Sequence, residues 1–403
     1  MATTRTGEPS APGSGAPFEF DRFGRAELAT RRGAKWGRAR HGELCAWVAD
    51  MDFPVAPAIR DALAELLERD ELGYPDDRLA EEVRGLFAER MADRYGLVLD
   101  PALTLALADV VQAMHLALLT LTEPGDGVVF LTPTYPPFFS AVSDTGRTPV
   151  AVDLVAGRDR YEIDFDALRA RIESSRARCL LLCNPHNPTG RAFSLAELTA
   201  LAEIALAHDL VVVSDEIHAD LVLPGATHVP IGRISPEVAA RTVTLYSASK
   251  AFNVAGLRCA LAGFGSAALA ERFAAFPAHA RGEVGVPGLL AARAAWRSGE
   301  AWLTATLAEL DANRGRVGEQ LAGVPLVGYR PPEATYLAWL DLRRLRLGDD
   351  PAVALERDAG LIVSSGPSFG EAGRGHVRVN FATPRAVLEE LLERLRASLA
   401  GRA

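Results

Sequence analysis

The sequence predicts an α/β protein in which a large domain carries a mostly parallel sheet and a smaller domain is α+β. Three observations lead there. The 403 residues exceed one ordinary core, and a chain of that size buries roughly 75% of its unfolded surface, enough for two lobes with a cleft between them. Short apolar runs at residues 127–131, 148–154, 179–183, 210–214 and 242–246 alternate with amphipathic stretches, which is the rhythm of strand and crossover helix. From about residue 286 the pattern changes to long helical stretches, followed by strand candidates at 336–340 and 376–381 and a terminal helix.

Taken in chain order, residues 1–17 are polar, lack the apolar centre of a secretory signal, and are expected to form a disordered tail. Residues 18–57 are an arm joined to the small domain, because the Pro and Asp residues of WVADMDFPVAP break regular structure before a helix at 58–69. Residues 58–286 form the large domain and 287–403 the C-terminal small domain.

A formal charge of -9 disfavours a protein that grips nucleic acid. No apolar run approaches the roughly 20 residues of a membrane span, so a cytoplasmic protein without a membrane partner is expected. The four cysteines lack the C-x-x-C spacing of a metal site, and no metal is expected. Cys179 and Cys183 fall on one side of a buried strand in CLLLC, as small core residues do.

Ligands of open α/β sheets gather at the carboxyl ends of the strands. Asn184 follows CLLLC, Asp215 follows LVVVS, Lys250 ends TLYSASK, and Tyr135 sits in LTPTYPPFF. Singly, each has a bland reading: turn residue, helix cap, surface lysine, core aromatic. As a set they match the needs of a pyridine aldehyde cofactor. A lysine must form the Schiff base, and a carboxylate, Asp215, must keep the ring nitrogen protonated. Donors to the phenolate oxygen could be Asn184 and His218, and Tyr135 could cover the ring. Ser247, Ser249, Arg258 and the helix start at residues 109–114 could hold a phosphate. In HVRVNF, alternation puts His376, Arg378 and Asn380 on one face, either an exposed polar face or one presenting Arg378 as a clamp for an amino-acid carboxylate.

At this point the chain resembles the fold-type I pyridoxal-phosphate enzymes of the aminotransferase class I/II group, and within it the MalY/PatB cystathionine β-lyase branch. The resemblance spans about residues 18–399 and rests on KW at Lys35, WVADMDF, GYP at Gly73, TPTYPPFF, CNPHNPTG, SDEIHADL, SASKAFNVAGL, EATYLAWLDLR and HVRVNFATP. Histidine at 218 is telling, since transaminases of the group usually place tyrosine there. The resemblance implies pyridoxal 5'-phosphate as cofactor, with Lys250 as the Schiff-base lysine, Asp215 at the ring nitrogen, Asn184 and His218 at the phenolate oxygen, and Tyr135 stacked on the ring. Val111, Gln112, Ser247, Ser249 and Arg258 would take the phosphate, and Arg378 and Asp50 the amino-acid substrate. It further implies a homodimer in which Tyr74 reaches the neighbouring subunit's phosphate. Two departures stand out: Asp109, Val110, Val111 and Gln112 replace the branch's G-V-V-P, adding negative charge beside a phosphate, and Glu43 and Cys45 stand where the branch tends toward D-x-L-P.

The activity implied is β-elimination from a cysteine S-conjugate such as cystathionine, giving a thiol, pyruvate and ammonia. The alternatives are an aminotransferase, a decarboxylating or oxidative enzyme of the same substrate class, and a regulator that binds a protein partner. Direct DNA binding is not expected, because 17 polar residues cannot encode a helix-turn-helix domain.

Overall fold

A computed structural model describes residues 18–324 and 326–400; the tail expected at residues 1–17 lies outside them. The larger sheet has seven strands in the spatial order Thr104–Leu107, Ala260–Phe264, Thr242–Tyr246, Val211–Asp215, Ala177–Cys183, Gly127–Thr132, Thr148–Asp153. Every pairing is parallel except the two made by Ala260–Phe264, which runs against both neighbours.

The apolar runs are explained by burial on both faces. Val129, Leu131, Leu180, Leu182 and Val212 pack with the helices Phe165–Glu173 and Leu195–Ala207. Their alternates Val128, Phe130, Cys179, Leu181 and Val213 pack with Val110–Leu121 and Ala267–Ala274 on the other side. Period two thus divides each strand between two cores. Local chemistry sets the helix ends: Ser194 and Glu197 form a reciprocal capping box, and Pro57 opens Pro57–Glu68 at a position where its missing N–H costs nothing.

The second sheet runs Leu44–Ala46, Leu361–Ser365, His376–Asn380, Leu337–Asp341, Gly328–Tyr329. Leu44 pairs with Leu361 and Ala46 with Val363 in parallel, so chain from near the N-terminus is stitched to strands more than 300 residues later. The helices Glu300–Ala322, Pro351–Ala359 and Arg385–Ala400 share its core. His376–Asn380 is buried on both faces, so its polar side is not an exposed one. Trp339 stacks on His376 at 5.0 Å between ring centroids, and Asn380 donates to the carbonyls of Val48 and Asp50. Among the described residues no helix is long and apolar enough to cross a membrane.

The arm is latched by a buried charge pair. Lys35 Nζ lies 2.7 Å from Asp52 Oδ2, Trp36 Nε1 donates to Asp52 Oδ1 at 2.7 Å, and Trp47 Nε1 donates to the Lys35 carbonyl at 3.0 Å. Removing one partner of such a pair strands the other charge away from water, at a cost of about 3–5 kcal/mol. Asp52→Ala is therefore expected to lower Tm by several degrees while Asp52→Asn, which keeps an acceptor for Trp36, lowers it less; equal Tm values for all three proteins would contradict the latch.

Candidate active site

A cavity of about 570 Å³ opens at the carboxyl ends of the parallel strands, against the second sheet. Its walls come from both: Cys183, Asp215 and Lys250 from the large sheet, Val363, Ser364 and Arg378 from the small one, and Trp47 to Ala49 from the arm.

The loop after Val211–Asp215 shows how the backbone aims these groups. Two buried acids anchor it. Glu216 accepts from Ser214 Oγ at 2.9 Å and meets His228 Nε2 at 2.9 Å. Asp220 accepts from Tyr95 Oη at 2.6 Å and from Tyr246 Oη, and pairs with Arg90 at 2.9 Å. With Glu216 and Asp220 tied to the scaffold, Asp215 and His218 are left to face the cavity. Burial pushes the Asp215 carboxyl up to about 7, with the Glu216 charge adding to the rise and Lys250 and the Ile217 N–H opposing it. Burial pushes His218 down to about 3, and among the described residues its Nδ1 has no partner. The imidazole is neutral at pH 7 and keeps an unused ring nitrogen.

Lys250 follows the strand Thr242–Tyr246, and its Nζ donates to the Ala49 carbonyl at 2.8 Å, 3.8 Å from Asp50 Oδ1. Burial lowers its pKa and the Arg378 charge lowers it further, while Asp50 and Asp215 oppose both. The free amine, nucleophile and base, is thereby favoured.

Arg378 is 5% exposed. Its Nη1 donates to Asn187 Oδ1 at 2.9 Å and its Nη2 to the Trp47 carbonyl at 2.7 Å and Ser364 Oγ at 3.1 Å, while Phe369 lies under the guanidinium at 4.9 Å. Among the described residues none of its partners is a carboxylate, and Nε has no partner. Burial draws its pKa down to about 10. A buried cation without a counter-ion calls for an anionic ligand. Tyr135 lines the same space, and burial raises its pKa, so its ring is a neutral phenol.

At the other end, the helix Val110–Leu121 points its N-terminus at the cavity beside Ser247, Ser249 and Arg258. Ser247 Oγ accepts from Ser249 N at 3.0 Å and donates to the Cys259 carbonyl at 2.6 Å, which fixes the turn. Val111 lines the cavity. Gln112 does not: Nε2 donates to the Arg281 carbonyl at 2.7 Å and Oε1 accepts from Ala108 N at 2.9 Å, so its amide braces the helix start. Asp109 caps the helix by accepting from Gln112 N at 2.7 Å, and its other oxygen is 2.6 Å from Arg258 Nη2.

Three further expectations are corrected or refined. Asn184 does not reach the cavity: its amide donates to the Val229 carbonyl and accepts from Phe193 N, both at 3.1 Å, holding the CNPHNPTG turn closed. The cavity residue is Asn187, three positions on, which sequence reading passed over; the second Asn-Pro of the motif was the available signal. The turn also needs Gly190, at φ +70°, where an added Cβ would lie 2.2 Å from Pro332 Cβ. Asp50 is not part of the cavity lining and stands behind Lys250 instead. Tyr74 is 97% exposed and away from this cavity. Trp47, Ser364 and Phe369, which frame Arg378, carried no assigned role in the sequence: Trp47 opens the WVADMDF motif without a role being given to it, and nothing local marks the other two.

These groups fit pyridoxal phosphate. A nucleophilic amine, a buried acid, a neutral imidazole with an unused nitrogen, and a helix N-terminus beside the Ser249 hydroxyl and a guanidinium are what an aldehyde, a pyridine, a phenolate and a phosphate would each require.

The raised Asp215 pKa has a stability consequence. The group titrates near 7 when folded against 3.8 as a free side chain, so its contribution is fully present below about pH 4 and lost as pH rises through 7, a swing of roughly 4 kcal/mol. Asparagine mimics the protonated acid. In cofactor-free protein, Asp215→Asn should raise Tm at pH 8, with the gain shrinking toward pH 4; a gain independent of pH would contradict this burial.

The chain matches the family described as aminotransferase class I and II over residues 48–395. It is 34% identical to a cystathionine beta-lyase of Corynebacterium glutamicum, covering 93% of this chain and 98% of that one. It is 33% identical to cystathionine beta-lyase PatB of Bacillus subtilis, covering 95% and 100%. Among solved structures, the PLP-bound C-S lyase of Staphylococcus hominis superposes with a TM-score of 0.88 at 30% identity, covering 95% of this chain and 99% of that one. With the cavity's matching chemistry, these likenesses mean that the chain belongs to the class I and II aminotransferase family, the fold-type I enzymes dependent on pyridoxal 5'-phosphate, in its MalY/PatB branch.

Proposed function

We propose that this enzyme is a carbon–sulfur β-lyase that splits cysteine S-conjugates, cystathionine-like compounds among them, into a thiol, pyruvate and ammonia. The observation that carries the amino-acid substrate is Arg378: buried, without a carboxylate partner among the described residues, and opening on the same cavity as the Lys250 amine. The relatives named cystathionine beta-lyase and C-S lyase support elimination as the outcome.

When bound, the cofactor supplies an electron sink for the charge released at the substrate Cα. Arg378 binds the α-carboxylate through charge-assisted hydrogen bonds and so orients Cα toward Lys250. Lys250 would hold the cofactor aldehyde at rest and, as a free amine beside Cα once substrate is bound, takes the Cα proton; its lowered pKa favours the basic form. Asp215 would hold the proton on the pyridine nitrogen, and a cationic ring partner would keep it ionised despite its burial. Tyr135 would cover the ring, and His218 and Asn187 would serve the phenolate side. As the Cβ–S bond breaks, its electron pair leaves with sulfur, the departing thiolate takes a proton to become the thiol, and water converts the three-carbon fragment to pyruvate and ammonia.

We also infer a homodimer, supported by the exposure of Tyr74 at 97% beside Leu67 at 63% and Leu72 at 62%, with Tyr74 reaching the phosphate of the other subunit. Cytoplasmic placement belongs to the same reading.

Purified holoenzyme should release thiol and pyruvate in equal amounts from cystathionine and simple S-conjugates. No pyruvate from any of them, with keto acid formed only in the presence of an acceptor keto acid, would replace the reading with transamination. Lys250→Ala should abolish turnover and the near-visible absorbance of the bound cofactor without lowering Tm. Asp215→Asn should keep that absorbance but slow turnover about a thousandfold, since roughly 4 kcal/mol of charge stabilisation is lost. Arg378→Ala should raise KM about a hundredfold, the worth of one or two charged hydrogen bonds, with a smaller change in kcat.

A further inference from the structure

The phosphate end of the cavity contains a carboxylate that its chemistry does not call for. Asp109 uses one oxygen to cap Val110–Leu121, accepting from Gln112 N at 2.7 Å, and places the other 2.6 Å from Arg258 Nη2. Among the described residues Asp109 is the only charged partner of Arg258, the guanidinium beside Ser247 and Ser249. The Arg258 backbone is left-handed, at φ +54°, in a tight turn after Ala255–Leu257, so the residue cannot readily be moved elsewhere. Before any ligand arrives, Arg258 is therefore already paired with a carboxylate. Asp109 is also part of the cavity wall, its side chain 26% exposed against 64% for Arg258, so solvent screens the carboxylate less than the guanidinium.

We propose that Asp109 competes with the cofactor phosphate for Arg258 and so sets how tightly the cofactor is held. A phosphate dianion entering this corner either shares Arg258 with a carboxylate or displaces it, and either way meets a like charge. The cap alone does not require this charge, because asparagine and serine cap helices about as well as aspartate. Cofactor occupancy then follows the free cofactor concentration more closely than in a site with an unopposed arginine. The inference concerns cofactor retention, not the reaction, and stands apart from the lyase reading; it does rest on assigning the phosphate to Arg258.

The test dialyses holoenzyme against a series of free pyridoxal phosphate concentrations and reads bound cofactor by absorbance, with pyridoxal, which has no phosphate, as a second ligand. Asp109→Asn and Asp109→Ser, which remove the charge and keep a cap, should each lower the Kd for pyridoxal phosphate about tenfold and leave that for pyridoxal unchanged. Arg258→Gln should raise the Kd for the phosphate form, and adding Asp109→Asn to it should change that value less than threefold. Unchanged or weaker binding of pyridoxal phosphate by both Asp109 variants would overturn the proposal, as would an equal gain for pyridoxal. If Arg258→Gln leaves the Kd unchanged, the phosphate assignment fails with it, whatever the lyase assay shows.

Discussion

The constraint on which the site depends is the burial of ionisable groups without enough charge to compensate them. Lys250, Asp215, His218 and Arg378 all have their pKa values driven chiefly by removal from water. Desolvation favours the neutral amine, the neutral imidazole and the protonated acid, and it leaves the guanidinium as a cation in search of an anion. Each tendency is answered by a ligand group of the right kind. Because the groups come from the large sheet, the small sheet and the arm, only their convergence creates that environment.

Holding such groups in place requires polar anchors outside the cavity. In Ser214 to Leu221 the acids at 216 and 220 bind inward, to His228 and to the cluster of Arg90, Tyr95 and Tyr246, while Asp215 and His218 point to the ligand side. The same division appears in CNPHNPTG, where Asn184 closes the turn and Asn187 meets Arg378. In both segments the residues that face the cavity and those that orient them alternate within a few positions. A motif is thus a mixture of cavity lining and scaffolding, and residue type does not separate them.

The legibility of the sequence followed from where the physics is local. Strands buried on both faces must be apolar, so the runs at 127–131, 179–183 and 242–246 were readable, and Lys250, Asp215 and Tyr135 could be placed because they directly follow or lie near such runs. Thr104–Leu107, the edge strand, and Ala260–Phe264, paired on both sides next to it, were not recognised as strands, since their Ala, Gly and Thr residues give no strong apolar signal. Leu44–Ala46 could not be assigned to its sheet either, as its partner lies at Leu361–Val363.

What the sequence by itself determined is the α/β class, the cofactor family, and that Lys250, Asp215, His218 and Arg378 belong to one cavity, because strand ends and short motifs are local patterns. What only the tertiary structure decided is which of two asparagines in one motif meets Arg378, that Gln112 braces a helix, that Asp109 lies on Arg258, and that Trp47, Ser364 and Phe369 frame the guanidinium. Those outcomes depend on which hydrogen-bond partner lies within 3 Å once distant segments meet, and a one-dimensional pattern of residue types does not contain that distance.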